Sequence, residues 1–257
     1  SRRRHTRFRN VTGVQTCALP IFATGLIFLS LFTDSARAAA PATNTSWPQN
    51  PAPPISAPNV LVILTDDVGF GASSTFGGPI ATPTLDSLAR NGLRYNRFHT
   101  TAICSPTRAS LLTGRTPHHV GVGLVTNLPT GYPGYNSVLP KSAATVAQVL
   151  RSAGWSTAMF GKSHITPEWE TGPAGPFDRW PTGLGFDYFY GFLGADTSAF
   201  DPWLVENTRV VRSSVPHDGS AYHLEADLAD HAIEWLETQH ADRKSTRLNS
   251  SHVSESR

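Results

Sequence analysis

Apolar runs alternate with amphipathic segments between residues 59 and 241, and this alternation predicts strands and helices in turn. The segment NVLVILTDD (59–67) is a continuous apolar run bounded by proline and aspartate, as expected of a strand buried in a parallel sheet. TPTLDSLARNGLRYNRF predicts a capped helix that ends near Asn91-Gly92, followed by a second strand over 93–98. STAMF (156–160) predicts a third strand.

Proline, serine and glycine mark the ends of two further predicted helices. Pro106 suits the first turn of a helix over 107–113, which Gly114 closes. Ser142 is the predicted cap of AATVAQVLRSAG, and Gly154 follows its end. A last amphipathic helix is predicted over 222–239, with one side formed by Leu224, Leu228, Ala232, Trp235 and Leu236.

This order of elements predicts an α/β fold with a largely parallel sheet, because strands that alternate with helices are joined by crossover connections. The predicted domain covers residues 59–241.

The two ends of the chain are related through the genetic code. When Asp242–His252 is reversed and set against Val11–Ile21, every facing pair admits complementary codons, for example GAT for Asp242 against ATC for Ile21. Segments 1–21 and 242–257 are therefore predicted to be non-native, adapter-derived sequence rather than native basic tails, and we exclude them from functional arguments.

Excluding both ends reverses the charge of the chain. The full sequence has a net charge of +2, but residues 22–241 hold 12 basic and 17 acidic side chains. No basic patch remains to indicate nucleic-acid binding. Cys17 is also excluded, so Cys104 becomes the only cysteine of the predicted native sequence.

Residues 22–38 predict a truncated export signal. The apolar run 26–32 precedes Ala36-Arg37-Ala38, which matches the cleavage site of a secretory signal. The run is too short to cross a bilayer, so no stable membrane span is expected. A buried helix is the alternative, but the Pro-rich linker over 39–58 disfavours it. We therefore predict a periplasmic or secreted protein.

Three polar clusters follow the three predicted strands. They are Asp66-Asp67, Cys104–Arg108 and Gly161–His164. Each has an ordinary explanation as turn, core or surface residues. Together, at the carboxyl edge of one sheet, they offer carboxylates for a hard cation and a helix N-terminus with an arginine for an anion. The clusters therefore predict a pocket for a cation and a sulfate-like or phosphate-like anion.

The same clusters resemble the motifs of the sulfatase family. CSPTRASLLTGR is similar to the signature in which a cysteine in Cys-x-Pro-x-Arg is oxidised to formylglycine. VLVILTDDVGFG resembles the first metal-binding strand, and GKSH resembles the Gly-Lys-x-His loop, with Ser163 where tryptophan is common. GPFDRWPTGLGFDYFYGFLGADT resembles bacterial arylsulfatases. The resemblance runs from about residue 59 to residue 240, and implies a three-layer, alkaline phosphatase-like α/β/α fold.

The resemblance also implies a cofactor and a metal. Asp66, Asp67 and the modified Cys104 would bind a divalent cation, with Ca²⁺ expected over Mg²⁺. Cys104 would become 3-oxoalanine (formylglycine), so a formylglycine-generating enzyme is the expected maturation partner. The family has a further histidine, lysine and metal-binding pair far downstream, so we expect this chain to be an inactive N-terminal fragment.

The remaining implied site residues serve the reaction. Arg108 would stabilise the formylglycine hydrate, and Lys162 and His164 would contact the modified side chain or the substrate, a small sulfate ester of the aryl type.

Three other functions fit parts of the pattern. A cysteine-dependent phosphatase would have Cys-x5-Arg, whereas three residues separate Cys104 from Arg108. A phosphodiester or phosphonate monoester hydrolase of the same superfamily shares the motif. The non-enzymatic alternative is a binding protein or an inactive remnant.

Overall fold

A computed structural model describes residues 51–54, 56–213 and 221–252, which all belong to one compact unit, Pro48–Arg257. The predicted segments 1–21 and 22–38 lie outside the described residues. The helices are α1 (Pro83–Asn91), α2 (Cys104–Thr113), α3 (Val146–Ser152) and α4 (Leu224–His252). The strands are β1 (Ala158–Lys162), β2 (Tyr188–Phe192), β3 (Leu204–Glu206) and β4 (Arg209–Val211).

The four strands form one mixed sheet in the order β1-β2-β3-β4. Strands β1 and β2 are parallel, with Ala158 opposite Tyr188 and Lys162 opposite Phe192. The other two pairs are antiparallel, and a two-residue turn joins β3 to β4 with Asn207 at φ 55°. The predicted α/β class is confirmed, while this part of the sheet is mixed rather than largely parallel.

Three predicted helices are confirmed, and one predicted cap is wrong. Helix α1 ends at Asn91, and α2 ends at Thr113, followed by Gly114, whose left-handed backbone lets its N–H donate to the Ser110 carbonyl. Helix α3 is capped by Thr145, not by Ser142. The Thr145 hydroxyl accepts from the Gln148 N–H, and the Gln148 side chain accepts from the Thr145 N–H, so both donors are satisfied.

Two predicted strands are absent: residues 60–64 and 93–98 are extended or bent segments without strand pairing in the described structure. Leu61 is 78% exposed and Leu93 is 84% exposed. An apolar run forms a strand only where a neighbouring strand satisfies its backbone groups, and no described segment pairs with either run. The sequence pattern specified an apolar segment but not its partner.

Helix α4 packs against the sheet and closes one part of the core. Leu224 packs with Tyr190 and Leu204, and Leu228 lies at the edge of the same cluster. These contacts confirm the predicted apolar side of the helix near its start, whereas Leu236 is exposed. No helix in the described ranges is both long enough and apolar enough to span a membrane.

Candidate functional site

The predicted site residues converge where β1 ends and α2 begins. Cys104 is the first residue of α2, and Lys162 is the last residue of β1. His164 follows two residues later, with a left-handed backbone at φ 47°. Asp66 follows the extended segment 60–65 and reaches the same place through its side chain. The motifs thus meet at one edge, even though the first predicted strand is not formed.

Cys104 and His164 form the centre of the site. The Cys104 thiol is free and lies 3.1 Å from Nδ1 of His164, whose side chain is fully buried. Burial lowers the pKa of His164 to about 4, and the charges of Lys162 and Arg108 act in the same direction. The imidazole is therefore neutral at physiological pH and can either donate to or accept from the group at position 104, depending on its tautomer.

Arg108 joins the three motifs. Its Nη1 donates to the Lys162 carbonyl oxygen at 2.6 Å, and its Nη2 donates to Oδ1 of Asp66 at 3.3 Å. Position 108 lies one helical turn after Cys104, on the same face of α2. A planar guanidinium suits this task because it donates in two fixed directions at once.

Lys162 forms the shortest ion pair within the site. Its ammonium donates to Oδ2 of Asp66 at 2.6 Å, and only 10% of the lysine side chain is exposed. Partial burial opposes ionisation of Asp66, but the hydrogen bonds and charges of Lys162 and Arg108 outweigh it and lower the pKa of the carboxyl group. Asp66 is therefore a carboxylate held by two cations.

Two buried polar atoms of the site have no hydrogen-bond partner among the described residues. They are Nε of Arg108 and Nε2 of His164. Buried polar groups are rarely left unpaired, because desolvation without a hydrogen bond costs about 1 to 3 kcal/mol. These atoms provide hydrogen-bonding capacity for a further group at the site.

The carboxylates do not assemble a metal site in the described structure. No group of three His, Cys, Asp or Glu residues in the described ranges is placed to hold a metal ion. Both oxygens of Asp66 already accept from Arg108 and Lys162, and Asp67 is an exposed residue with φ 54°. The arrangement therefore does not fit a cation as it stands, and the predicted ligand set of Asp66, Asp67 and Cys104 stays a prediction.

Strand β2 supports the loop that carries Lys162 and His164. This supporting role of β2 is not among the features predicted from the sequence. The backbone N–H of Ser163 donates to the Phe192 carbonyl at 2.9 Å, and that of His164 donates to the Leu193 carbonyl at 3.2 Å. The supporting strand contains Gly191 opposite Gly161, and a Cβ on Gly191 would lie 2.0 Å from the Gly161 oxygen. In the sequence, the pair of glycines Gly161 and Gly191 is the feature that could have indicated this close contact between two strands.

A partly buried ion pair fixes the segment after His164. Arg179 donates to the Glu170 carboxylate, and the indole of Trp180 donates to the Glu170 carbonyl. The Thr166 hydroxyl donates to the Arg179 carbonyl at 3.0 Å. These contacts close residues 166–180 into a compact loop, so the backbone around His164 is held on both sides.

Comparison with known proteins agrees with these motifs. The Sulfatase family profile matches residues 58–249. An uncharacterised sulfatase of Schizosaccharomyces pombe is 37% identical over 164 residues, which cover 60% of this chain and 28% of that protein. The arylsulfatase of Klebsiella aerogenes is 36% identical over 148 residues, covering 56% of this chain and 30% of the relative. Human arylsulfatase A is 40% identical over 136 residues, covering 52% and 25%.

A solved structure shares the fold. The crystal structure of Ps i-CgsB superposes with a TM-score of 0.50 at 25% identity, over 68% of this chain and 40% of that one. The chain spans between a quarter and a third of the length of the three relatives. Because the profile covers most of its residues, the chain belongs to the Sulfatase family.

Proposed function

We propose that this chain is the N-terminal part of a hydrolase of sulfate esters, of the aryl type, in which Cys104 is converted to formylglycine. The observation that carries the proposal is the contact between Cys104 and His164 at the start of α2, beside Arg108 and Lys162. This set occurs within a chain of the Sulfatase family, whose members generally use a formylglycine and a divalent cation.

Formylglycine fits position 104 on the grounds of its surroundings. The residue is the first of a ten-residue helix, where free backbone N–H groups favour negative charge. Nδ1 of His164 lies within hydrogen-bonding distance of the side chain. When present, the aldehyde supplies, through its hydrate, an oxygen nucleophile that an unmodified thiol lacks.

The chain's own residues hold the reacting groups and their charges. His164 is neutral and fixed, so it exchanges a proton with the side chain at position 104. Arg108 presents its unpaired Nε to the developing oxyanion, and Lys162 neutralises charge on the sulfuryl oxygens. Both cations are mostly buried, which strengthens their effect on an anion.

Ca²⁺ is the proposed cation, with Mg²⁺ as the less favoured choice. The carboxylates of Asp66 and Asp67 are hard oxygen ligands, which suit Ca²⁺. Two carboxylates leave Ca²⁺ short of the six to eight oxygen ligands that it typically binds. We therefore assign the remaining ligands to parts of the protein beyond this chain.

Export and maturation complete the proposal. Residues 22–38 carry the pattern of an export signal, which suits a family whose members are typically secreted or lysosomal. A formylglycine-generating enzyme is the proposed maturation partner, and a small sulfate ester is the proposed substrate.

Mass spectrometry of the residue at position 104 tests the proposal. The full-length protein is co-expressed with a formylglycine-generating enzyme, and the peptide containing Cys104 is analysed. Conversion removes one sulfur and two hydrogens and adds one oxygen. A thiol that persists while a known sulfatase in the same cells is converted would overturn the proposal. Parallel assays with aryl sulfate, phosphodiester and phosphonate monoester substrates then identify the preferred ester.

A further inference from the structure

His164 has a backbone conformation that its surroundings must maintain. Its φ of 47° lies in the left-handed region, which residues with a side chain adopt rarely. Such a conformation persists where the surrounding structure fixes it, and it recurs at functional sites. On the preceding side, the His164 N–H donates to the Leu193 carbonyl at 3.2 Å, next to strand β2. The contacts on the following side begin at Thr166.

Glu170 and Arg179 hold the segment that follows His164. The buried Thr166 hydroxyl donates to the Arg179 carbonyl at 3.0 Å, and the Arg179 guanidinium donates to the Glu170 carboxylate. The indole of Trp180 donates to the Glu170 carbonyl at 2.6 Å. Only 7% of the Glu170 side chain is exposed, so removing its charge leaves the Arg179 cation without this partner where water screens it poorly.

The orientation of the His164 ring depends on this backbone. Nδ1 lies 3.1 Å from Sγ of Cys104, and Nε2 has no hydrogen-bond partner among the described residues. No recorded hydrogen bond therefore ties the ring to the scaffold, and a shift of about 1 Å is enough to break its contact with position 104. We propose that Glu170 and Arg179 are positioning residues that keep His164 in contact with the group at position 104; this rests on the role of His164 in the proposed function.

Glu170→Gln tests the positioning role, because it keeps the size of the side chain and removes its charge. Steady-state kinetics are measured with an aryl sulfate on the full-length protein after conversion of Cys104. We expect kcat to fall by roughly tenfold, since displacing a reacting group by about 1 Å can cost up to about 100-fold. KM should stay within about twofold of wild type, because the cations that face the anion are unchanged.

Asp187→Asn is the matched control. It breaks another ion pair, in which Arg151 donates to Asp187 at 2.9 Å, and it weakens the bond from the Thr157 N–H to Asp187. These contacts lie beside the start of β1, at the opposite end of the strand from the site. We therefore expect Asp187→Asn to lower stability without lowering kcat.

A double-mutant cycle shows whether Glu170 acts through His164. The effect of Glu170→Gln on kcat is measured in the wild-type and His164→Ala backgrounds. A ring that has been removed cannot be misplaced, so we expect no further fall of kcat in the second background. Thermal melting and the extent of Cys104 conversion are measured for every variant. Thr166→Val, which removes only the hydroxyl that donates to Arg179, takes the place of Glu170→Gln in the cycle if that variant does not fold.

The outcomes separate the positioning role from a general effect on folding. A kcat within about twofold of wild type overturns the positioning role. An equal fall of kcat in both backgrounds, or a comparable fall in Asp187→Asn, shows a general effect and also overturns it. Converted wild type that hydrolyses no sulfate ester overturns the proposed function, and the positioning role with it, so the wild-type assay distinguishes the two failures.

Discussion

Nδ1 of His164 lies 3.1 Å from Sγ of Cys104, although 60 residues separate them in the chain. The contact forms because the end of β1 and the start of α2 meet at one edge of the sheet. Burial and the neighbouring positive charges keep the imidazole neutral, with a pKa of about 4. A neutral ring at this distance can exchange a proton with the group at position 104, which gives the first prediction.

Replacement of His164 should slow the reaction without preventing conversion of Cys104. We expect His164→Ala in the full-length, converted protein to lower kcat at least about 100-fold, the usual contribution of a positioned acid or base. The kcat is measured with an aryl sulfate, and the extent of conversion is measured by mass spectrometry. His119→Ala is the control, because His119 is exposed. A kcat within threefold of wild type would contradict the role given to His164.

The second prediction concerns the close contact between β1 and β2. Gly191→Ala places a Cβ 2.0 Å from the Gly161 oxygen, so the two strands must separate. We expect the free energy of unfolding to fall by about 1 to 3 kcal/mol, because the added methyl group meets backbone rather than a side chain that could move aside. Gly194→Ala is the matched control, since its nearest atom would lie 3.8 Å away, and it should change stability by less than about 0.5 kcal/mol.

Urea denaturation of both variants measures the difference. Equal stability for the Gly191 and Gly194 variants would mean that the strands are not held at this spacing, and the support given to the loop bearing His164 would have to come from elsewhere.

Features that depend on residues close together in the chain, such as helix ends, could be predicted from the sequence. Features that depend on contacts between distant residues, such as strand pairing, could not. Gly114 ends α2 because a left-handed residue is required there, and this signal is local. Segment 60–64 is wholly apolar and segment 93–98 mixes apolar with polar residues, but in both cases a strand depends on a neighbour that the pattern does not identify. In α3, Thr145 and Gln148 have the spacing of a capping box, a local pattern that identifies Thr145 rather than Ser142 as the cap.

In the candidate site, too, the local motifs could be predicted from the sequence, whereas the pairing between distant charged residues could not. The motifs predicted that Cys104, Arg108, Lys162 and His164 lie near one another, and the structure brings them together, while their roles stay predictions. Lys162 and Asp66 are 96 residues apart in the chain. Their pairing depends on which charged side chains the fold places together away from water, and no local sequence pattern specifies that. Lys162 and Arg108 pair with Asp66, and its predicted role as a metal ligand stays a prediction.

The third prediction concerns alkaline pH. Asp227 accepts from the hydroxyl of Tyr190 in β2 at 2.7 Å, which fastens α4 to the sheet, and from the hydroxyl of Tyr222 at 2.8 Å, which ties the segment before α4 to the helix. Burial raises the pKa of both phenols, and the hydrogen bond and charge of Asp227 raise it further. The folded state therefore keeps these protons more tightly than the unfolded state. This contribution to stability is complete below the unfolded pKa of about 10 and is lost as the pH rises above it.

Tyr222→Phe tests this dependence. We expect it to lower the free energy of unfolding by about 1.5 to 3 kcal/mol at pH 7, the usual value of a hydrogen bond to a charged group. We also expect a shallower loss of stability above pH ~10 than in wild type. Tyr132→Phe is the control, because Tyr132 is 74% exposed. Identical pH profiles for wild type and Tyr222→Phe would show that this phenol does not hold its proton preferentially in the folded state.

The last prediction concerns the 257-residue chain by itself, which we expect to associate and to lack sulfatase activity even with Cys104 converted. The apolar side chains of segments 60–64 and 93–98 are largely exposed, and both segments are unpaired among the described strands, so they offer edges and apolar surface to other copies. The described residues also leave Asp66 without the ligands that a cation needs. Light scattering and dye binding measure association, and an aryl sulfate measures activity. Introducing Leu61→Lys and Leu93→Lys together should reduce association, whereas Ile233→Lys on α4 should not. A monomeric, cooperatively folded and active chain would show that the described residues already hold a complete site.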